Sequence, residues 1–430
     1  MNALSQPVPR RLTLPSLSSA GRFLWAALRL LLTVLVVLLL ILPVAPLPIV
    51  TTVPTPVWAL LLAADLVLIA ALIRFRHTPR AVITVFLGFV LVASLAVAAS
   101  QAFAATPPIL GADGKPQPGS IATLEKVTLN GTEQWITIRG KDTTKPVLLY
   151  LGIGGPGAGG FPATAMTLKP LEDHFVVVNW DQPGTGKSYY ARPIATLTVQ
   201  QFVDDARALT EMMRERFHQP KVYVMGLSWG TILGINLVQQ YPDLFYAFIG
   251  TGQMVNTAKN DRFGYDLALQ VAQEKGDTGT LNTLRGYGPP PYKGDGTALK
   301  YAAYNNVLFD YMGSARLEMV LLIGPQFARE YGWLDKVNFD RGLLDGYPVV
   351  YSQLHDLDFT TQAARLEVPV YFLHGRKDVN AVAALVERYY NVLQAPYKEL
   401  VWLDSGHGAD AEELLDGMVN HVLVHTPPAK

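Results

Sequence analysis

Over the first 105 residues the apolar positions run on continuously instead of alternating. Phe23 to Leu42 is broken only by Arg29 and Thr33, and it is long enough to span a hydrocarbon core of roughly 30 Å. Pro43 to Pro56 carries no charge and holds five prolines, so no helix continues through it. Val57 to Ile73 is apolar around a single acid, Asp65, and after the basic loop Arg74–Arg80 a third run extends from Ala81 to about Ala105. Helices apolar on every face belong in lipid. The pattern predicts three transmembrane helices (about 23–42, 57–73 and 81–105) forming a membrane anchor over residues 1–105.

After a Pro/Gly linker, residues 106–120, the pattern changes. Ile121 to Gly140 alternates around Asn130-Gly131 and predicts a β-hairpin. Asn130-Gly131-Thr132 is also a glycosylation sequon, but the turn is the stronger reading. Buried strands are expected at Val147–Leu151, Phe175–Trp180, Val222–Met225, Phe245–Ile249, Val368–Leu373 and Glu399–Leu403. Helices are expected over Val199–Phe217, Ala381–Leu393 and Ala411–Val424 and directly after Ser228. Strands alternating with helices mean a doubly wound α/β domain over 121–430, with its chemistry at the carboxyl ends of the strands. Residues 252–365 interrupt the alternation with an aromatic, mostly helical stretch, read as a lid inserted above those strand ends.

Half of the chain is hydrophobic and 16% is charged, as the apolar first quarter requires. The net charge is zero, which leaves no field for nucleic acid. There is no cysteine, and the eight histidines are scattered, so no metal or organic cofactor is implied. The basic N-terminus and the Arg74–Arg80 loop should both be cytoplasmic, which puts everything after Ala105 outside, on a multi-pass cell-membrane protein. Arg29 and Asp65 are expected to pair at membrane depth, or Arg29 to snorkel. Ala102-Phe103-Ala104 has the small-x-small form of a cleavage site, so release of the domain there is the alternative to permanent anchoring.

Within the α/β domain, Gly226-Leu227-Ser228-Trp229-Gly230 stands between an apolar strand and an apolar-periodic helix. The two glycines permit a turn sharp enough to lift the serine hydroxyl to a helix N-terminus. A hydroxyl nucleophile needs a base, and the base needs an acid to fix its tautomer. Asp378 follows one predicted strand and His407 the next, in the order Ser…Asp…His of α/β-hydrolases, with Asp404 as the substitute acid. His374 reads as structural. The oxyanion donors are expected to be the Trp229 N–H and an N–H from the glycine-rich loop, Gly154 or Gly155. Gly186-Lys187-Ser188 mimics the end of a P-loop, but Asp181 stands where the first glycine is needed and no helix pattern follows.

Ile153-Gly154-Gly155-Pro156-Gly157, Asp181-Gln182-Pro183-Gly184-Thr185-Gly186-Lys187-Ser188 and the Ser228 elbow together resemble the proline iminopeptidase-like α/β-hydrolases, from about Ile121 to the C-terminus. Ile153 replaces the histidine usual in that loop. The resemblance implies a serine hydrolase and, in true iminopeptidases, lid glutamates that hold the substrate's amine; Glu274, Glu318 and Glu330 are the candidates here. The expected protein is therefore an α/β-hydrolase fold with a helical lid behind three membrane helices. It would cleave an ester or amide bond, such as an N-terminal peptide bond, in a small-molecule or short-peptide substrate. The alternatives are a prolyl-type aminopeptidase proper, a carboxylesterase or lipase, and a silent membrane receptor on a hydrolase scaffold.

Overall fold

Asn130 and Gly131 both take positive φ, 45° and 79°, the conformation that closes a two-residue hairpin. They join β1 (Ile121–Leu129) to β2 (Thr132–Gly140), paired in register from Ile121↔Gly140 to Leu129↔Thr132. The Asn130 amide donates to Asp205 at 2.7 Å, so the sequon's side chain is occupied within the fold.

The computed structural model describes residues 19–152, 155–163, 167–294, 296–313 and 323–428, with the backbone alone at 19–23, 25, 26 and 29. Its contacts form two compact units, one up to Pro46 and over Pro56–Ala96, the other over Leu47–Thr55 and from Val97 onward. The helices of the apolar region are α1 (Ser19–Ile41), the short α2 (Leu47–Val50), α3 (Thr55–Phe75) and α4 (Pro79–Ala102). Among the described residues, α3 and α4 are long and apolar enough to cross a membrane; in α1 the described apolar run is Leu30–Ile41. Leu60, Leu66 and Val67 of α3 and Ile83, Leu87 and Leu91 of α4 are exposed. Asp65 is buried, and neither carboxylate oxygen has a hydrogen-bond partner among the described residues. The Arg29 side chain, its expected partner, lies outside the described residues.

The second unit is built on an eight-stranded sheet, in the order β1-β2-β4-β3-β5-β6-β7-β8. The later strands are β3 (Val147–Tyr150), β4 (Val176–Asp181), β5 (Val222–Leu227), β6 (Phe245–Thr251), β7 (Val370–Gly375) and β8 (Lys398–Leu403). β2 runs antiparallel to β1 and β4, and every pairing from β4 to β8 is parallel. Strands covered on both faces need apolar residues on both; accordingly β3, β4 and β5 are buried at every position.

The chain leaves β3 toward β4 on one side and reaches β5 on the other. That reversal opens a crevice at the carboxyl end of the sheet. Two helices cover the flanks of this region. α5 (Val199–Arg216) opens with a capping box of Thr198 and Gln201, and α6 (Trp229–Gln240) follows the elbow. Phe202 and Ile232 pack with Leu149, Val178 and Val224 in one core, each such side chain contributing about 1.5–3 kcal/mol by burial.

Between β6 and β7 the chain is helical: α7 (Thr257–Glu274), α8 (Thr278–Tyr287), α9 (Thr297–Met312), α10 (Gly324–Phe327), α11 (Trp333–Arg341) and α12 (Tyr347–Tyr351). Regular alternation then resumes with α13 (Ala383–Val392) and α14 (Ala411–Asp416) around β8.

Candidate active site

Ser228 stands between β5 and α6 with φ 54° and ψ −114°, a backbone that non-glycine residues rarely adopt. The flanking glycines make it possible. A Cβ at Gly226 would overlap the Gly230 carbonyl, and one at Gly230 would come within 2.8 Å of the Gly152 oxygen. Strain of this kind persists only where the surroundings over-determine it, and here the Ser228 N–H is tied to Thr251 O at 3.1 Å.

His407 and Asp378 lie past the ends of β8 and β7, and both are buried. His407 Nδ1 donates to Asp378 Oδ2 at 2.8 Å, which leaves Nε2 free to accept a proton. Asp378 Oδ1 accepts the N–H groups of Asn380 and Ala381 at 2.9 and 2.7 Å. Burial pushes the Asp378 carboxyl up, but the His407 ring and these donors outweigh it and hold the group below the usual range. Asp404, the substitute acid, is exposed, so Asp378 is the one beside the imidazole.

His374 accepts the Gln253 N–H at Nδ1 (3.3 Å), which puts its proton on Nε2 facing Ala381 O at 3.0 Å. Burial lowers its pKa, so it stays a neutral prop for the turn that carries Asp378.

Ser228, Trp229, Gly155 and His407 line one cavity of about 100 Å³. Gly155, at φ 99°, has room for a Cβ only against the Tyr347 ring at 3.0 Å. Gly154 and Ile153 lie outside the described residues. A hydroxyl, an imidazole held by a carboxylate, and backbone donors at a helix N-terminus are together what acyl transfer requires.

Comparison with known proteins points the same way. The sequence model of the serine aminopeptidases (S33) matches residues 167–283. The probable aminopeptidase YbaC of Bacillus subtilis (strain 168) is 30% identical over 301 residues, 69% of this chain and 94% of that protein. The chain belongs to the proline iminopeptidase-like α/β-hydrolases. A proline iminopeptidase of Arabidopsis thaliana is 33% identical over a shorter stretch of 104 residues, 24% of this chain and 25% of that protein. The crystal structure of VinJ shares the fold, with a TM-score of 0.50 at 18% identity over 70% of this chain and 98% of VinJ.

The motifs of this hydrolase are joined in space. The Trp229 indole donates to Gln182 Oε1 at 2.9 Å, and Gln182 Nε2 donates to Leu151 O at 2.6 Å, so the Asp-Gln segment braces the elbow against β3. The P-loop-like residues serve the fold: Lys187 Nζ pairs with Asp335 at 2.8 Å and Ser188 Oγ accepts the Trp135 N–H at 2.8 Å.

None of the described glutamate candidates lines the cavity. Glu274 is exposed at the end of α7, Glu330 is buried away from the cavity with burial raising its pKa, and Glu318 lies outside the described residues. The carboxylate that does line it is Asp261, a residue the sequence reading passed over. Asp261 Oδ1 accepts the Tyr351 and Tyr304 hydroxyls at 2.7 and 3.4 Å, and Oδ2 accepts Tyr301 at 3.1 Å. Burial raises its pKa to about 7 against these hydroxyl donors. A signal for it was present: Asp261, Gly264, Tyr265 and Ala268 form the buried stripe of α7, and an acid on such a stripe is unusual.

Proposed function

We propose that this hydrolase is a membrane-anchored serine aminopeptidase. It removes a residue with a free amine from a short peptide or related small amide, and its catalytic domain faces away from the cytoplasm. The observation that carries this reading is Asp261. It is a buried carboxylate in the same cavity as Ser228, ringed by neutral tyrosine hydroxyls, with no lysine or arginine among the cavity's described lining residues. A buried charge without a counter-charge is unfavourable, and an entering ammonium group supplies one. The ring faces of Tyr304, Tyr347 and Tyr351 add a surface that attracts cations.

In the proposed reaction His407 Nε2 takes the Ser228 proton as Oγ bonds to the amide carbon. The oxyanion is held by the Trp229 N–H and by that of Gly154 or Gly155. The C–N bond breaks as His407 passes the proton to the leaving amine. Water, deprotonated by His407, then attacks the acyl-enzyme, releasing the carboxylic acid and returning the proton to Ser228. Asp378 keeps the imidazole in its tautomer throughout. The helical insertion acts as a lid, supplying Asp261 and the tyrosines and keeping water from the acyl-enzyme.

The exposed apolar faces of α3 and α4 support membrane insertion, because a buried core helix would cover them. With α1 as a further span, the basic residues before Phe23 and in Arg74–Arg80 set the orientation.

The test uses the full-length chain in detergent. A fluorophosphonate should label it, and Ser228→Ala should abolish both labelling and turnover. Amino-acid arylamides should be cleaved in preference to their N-acetylated forms and to aryl esters. A preference for esters, indifferent to a free amine, would refute the peptidase reading.

A further inference from the structure

A buried polar chain, unused by the chemistry above, begins at the last turn of α4 and ends at the glycine-rich loop. Residues 97–102 of α4 belong to the same compact unit as the sheet. Ser100 is buried and accepts the Trp333 N–H at 3.0 Å. Beside it, Gln101 Nε2 donates to Asp335 Oδ1 at 3.2 Å. The other oxygen, Oδ2, accepts the Gly332 N–H at 2.9 Å and pairs with Lys187 Nζ at 2.8 Å, with both side chains over nine-tenths buried. The Lys187 backbone N–H donates in turn to Asp181 Oδ2 at 2.9 Å. Asp181 Oδ1 accepts the Tyr331 hydroxyl at 2.7 Å and the Gly160 N–H at 3.1 Å. Gly160 closes the loop whose Gly155 lines the cavity.

A buried ion pair by itself adds little net stability, because desolvation offsets its attraction. A connected network does something else: it specifies one arrangement of the elements it joins. Here each carboxylate has its two oxygens taken by different elements, so Asp335 and Asp181 are fixed in orientation as well as position. Gly332 leaves no room for a Cβ beside Gln101, so the helix end and the insertion are in close contact.

We propose that Gln101 is a positioning residue for the oxyanion loop, and that this hydrolase reaches full turnover only with the last turn of α4 in place. The proposal rests on the reading of Ser228 as nucleophile and of the 152–160 loop as oxyanion donor. It follows that Ala102-Phe103-Ala104 is not a release site for an active domain, since cutting there removes Ser100 and Gln101.

The experiment is steady-state kinetics, fluorophosphonate labelling and thermal unfolding of full-length variants in detergent. Gln101→Ala should lower kcat and the labelling rate about tenfold, as a small misplacement of a catalytic group does. KM should stay within about twofold and Tm within about 3 °C, since only one partly buried hydrogen bond is lost. Gln101→Lys, which can still reach Asp335, should recover most of kcat. Gln101→Ala added to Asp335→Ala should cost little beyond Asp335→Ala alone, because the alanine at 335 already removes the contact. The proposal is overturned if Gln101→Ala keeps its kcat, if Gln101→Lys rescues nothing, or if the two substitutions are additive. Labelling that survives Ser228→Ala would sink the underlying site assignment instead, and the two failures are therefore distinguishable.

Discussion

Tyr351 donates its hydroxyl to Asp261 at 2.7 Å inside the cavity that holds Ser228. The two residues come from α12 and α7, and they place a carboxylate in the cavity that Ser228 also lines. Four neighbouring aromatic rings fix the cluster: Tyr301 lies 4.8 Å from Tyr351 edge-on, and Tyr347 stacks on Tyr351 at 4.7 Å. Tyr304 completes it at 5.9 Å from Tyr301.

Replacing the charge and keeping the shape isolates its role. Asp261→Asn should lower kcat/KM for free-amine arylamides by about 10–100-fold, the worth of a hydrogen bond to a charged group. The N-acetylated arylamide should change by less than about threefold, since it has no charge to lose. Equal losses on both substrates would mean that Asp261 supports the fold and not the amine.

The pH dependence follows from the Asp261 carboxyl, raised to about 7 chiefly by burial. A group with a raised pKa is neutral below that value, so an incoming ammonium meets an uncharged partner in acid and a carboxylate above it. The ratio of kcat/KM for free-amine over N-acetylated substrate should therefore climb through pH about 7. Taking the ratio cancels the titration of the shared base. A flat ratio for the parent enzyme, or the same climb in Asp261→Asn, would remove the assignment.

Gly157, at φ 91°, faces the Gly342 carbonyl so closely that a Cβ would overlap it, whereas Gly119, at φ 79°, has nothing within 4 Å. Both alanine variants bear the left-handed backbone penalty of about 1–2 kcal/mol. Gly157→Ala alone adds a clash between the glycine-rich loop and the insertion, and should be the less stable by at least about 1 kcal/mol and the less active. Denaturant unfolding and arylamide turnover measure both, and equal stabilities would contradict the packing described.

The absence of cysteine makes topology directly measurable. Single cysteines at two exposed positions, Asn282→Cys on α8 and His77→Cys between α3 and α4, should label oppositely in intact cells. A membrane-impermeant maleimide should reach the first from outside and the second only after permeabilisation. The reverse pattern would place the active site in the cytoplasm.

The elbow turn and the placement of Asp378 and His407 past strand ends were legible in the chain because each depends on local chemistry. A serine between two glycines at a strand–helix junction needs only its immediate neighbours, and Asp378 and His407 sit where strands end. The Asn130-Gly131 hairpin was readable for the same reason, since positive φ at two consecutive positions is a property of those two residues. The buried carboxylate of the cavity was not legible, because in the chain Asp261 resembles an ordinary helical acid.

What the sequence by itself determined is therefore the order of elements and the turns that set Ser228, Asp378 and His407 past strand ends, through hydrophobic period and turn chemistry that act over a few residues. Tertiary structure decided which carboxylate enters the cavity and what braces the glycine-rich loop. Tyr301, Tyr304 and Tyr351 reach Asp261 from 40 to 90 residues away, and Gln101 reaches Asp335 across 234. Contacts of that span arise only when the insertion folds back over the sheet. Their physical cause is the burial of polar groups that must find partners wherever packing brings them, a constraint that local pattern does not record.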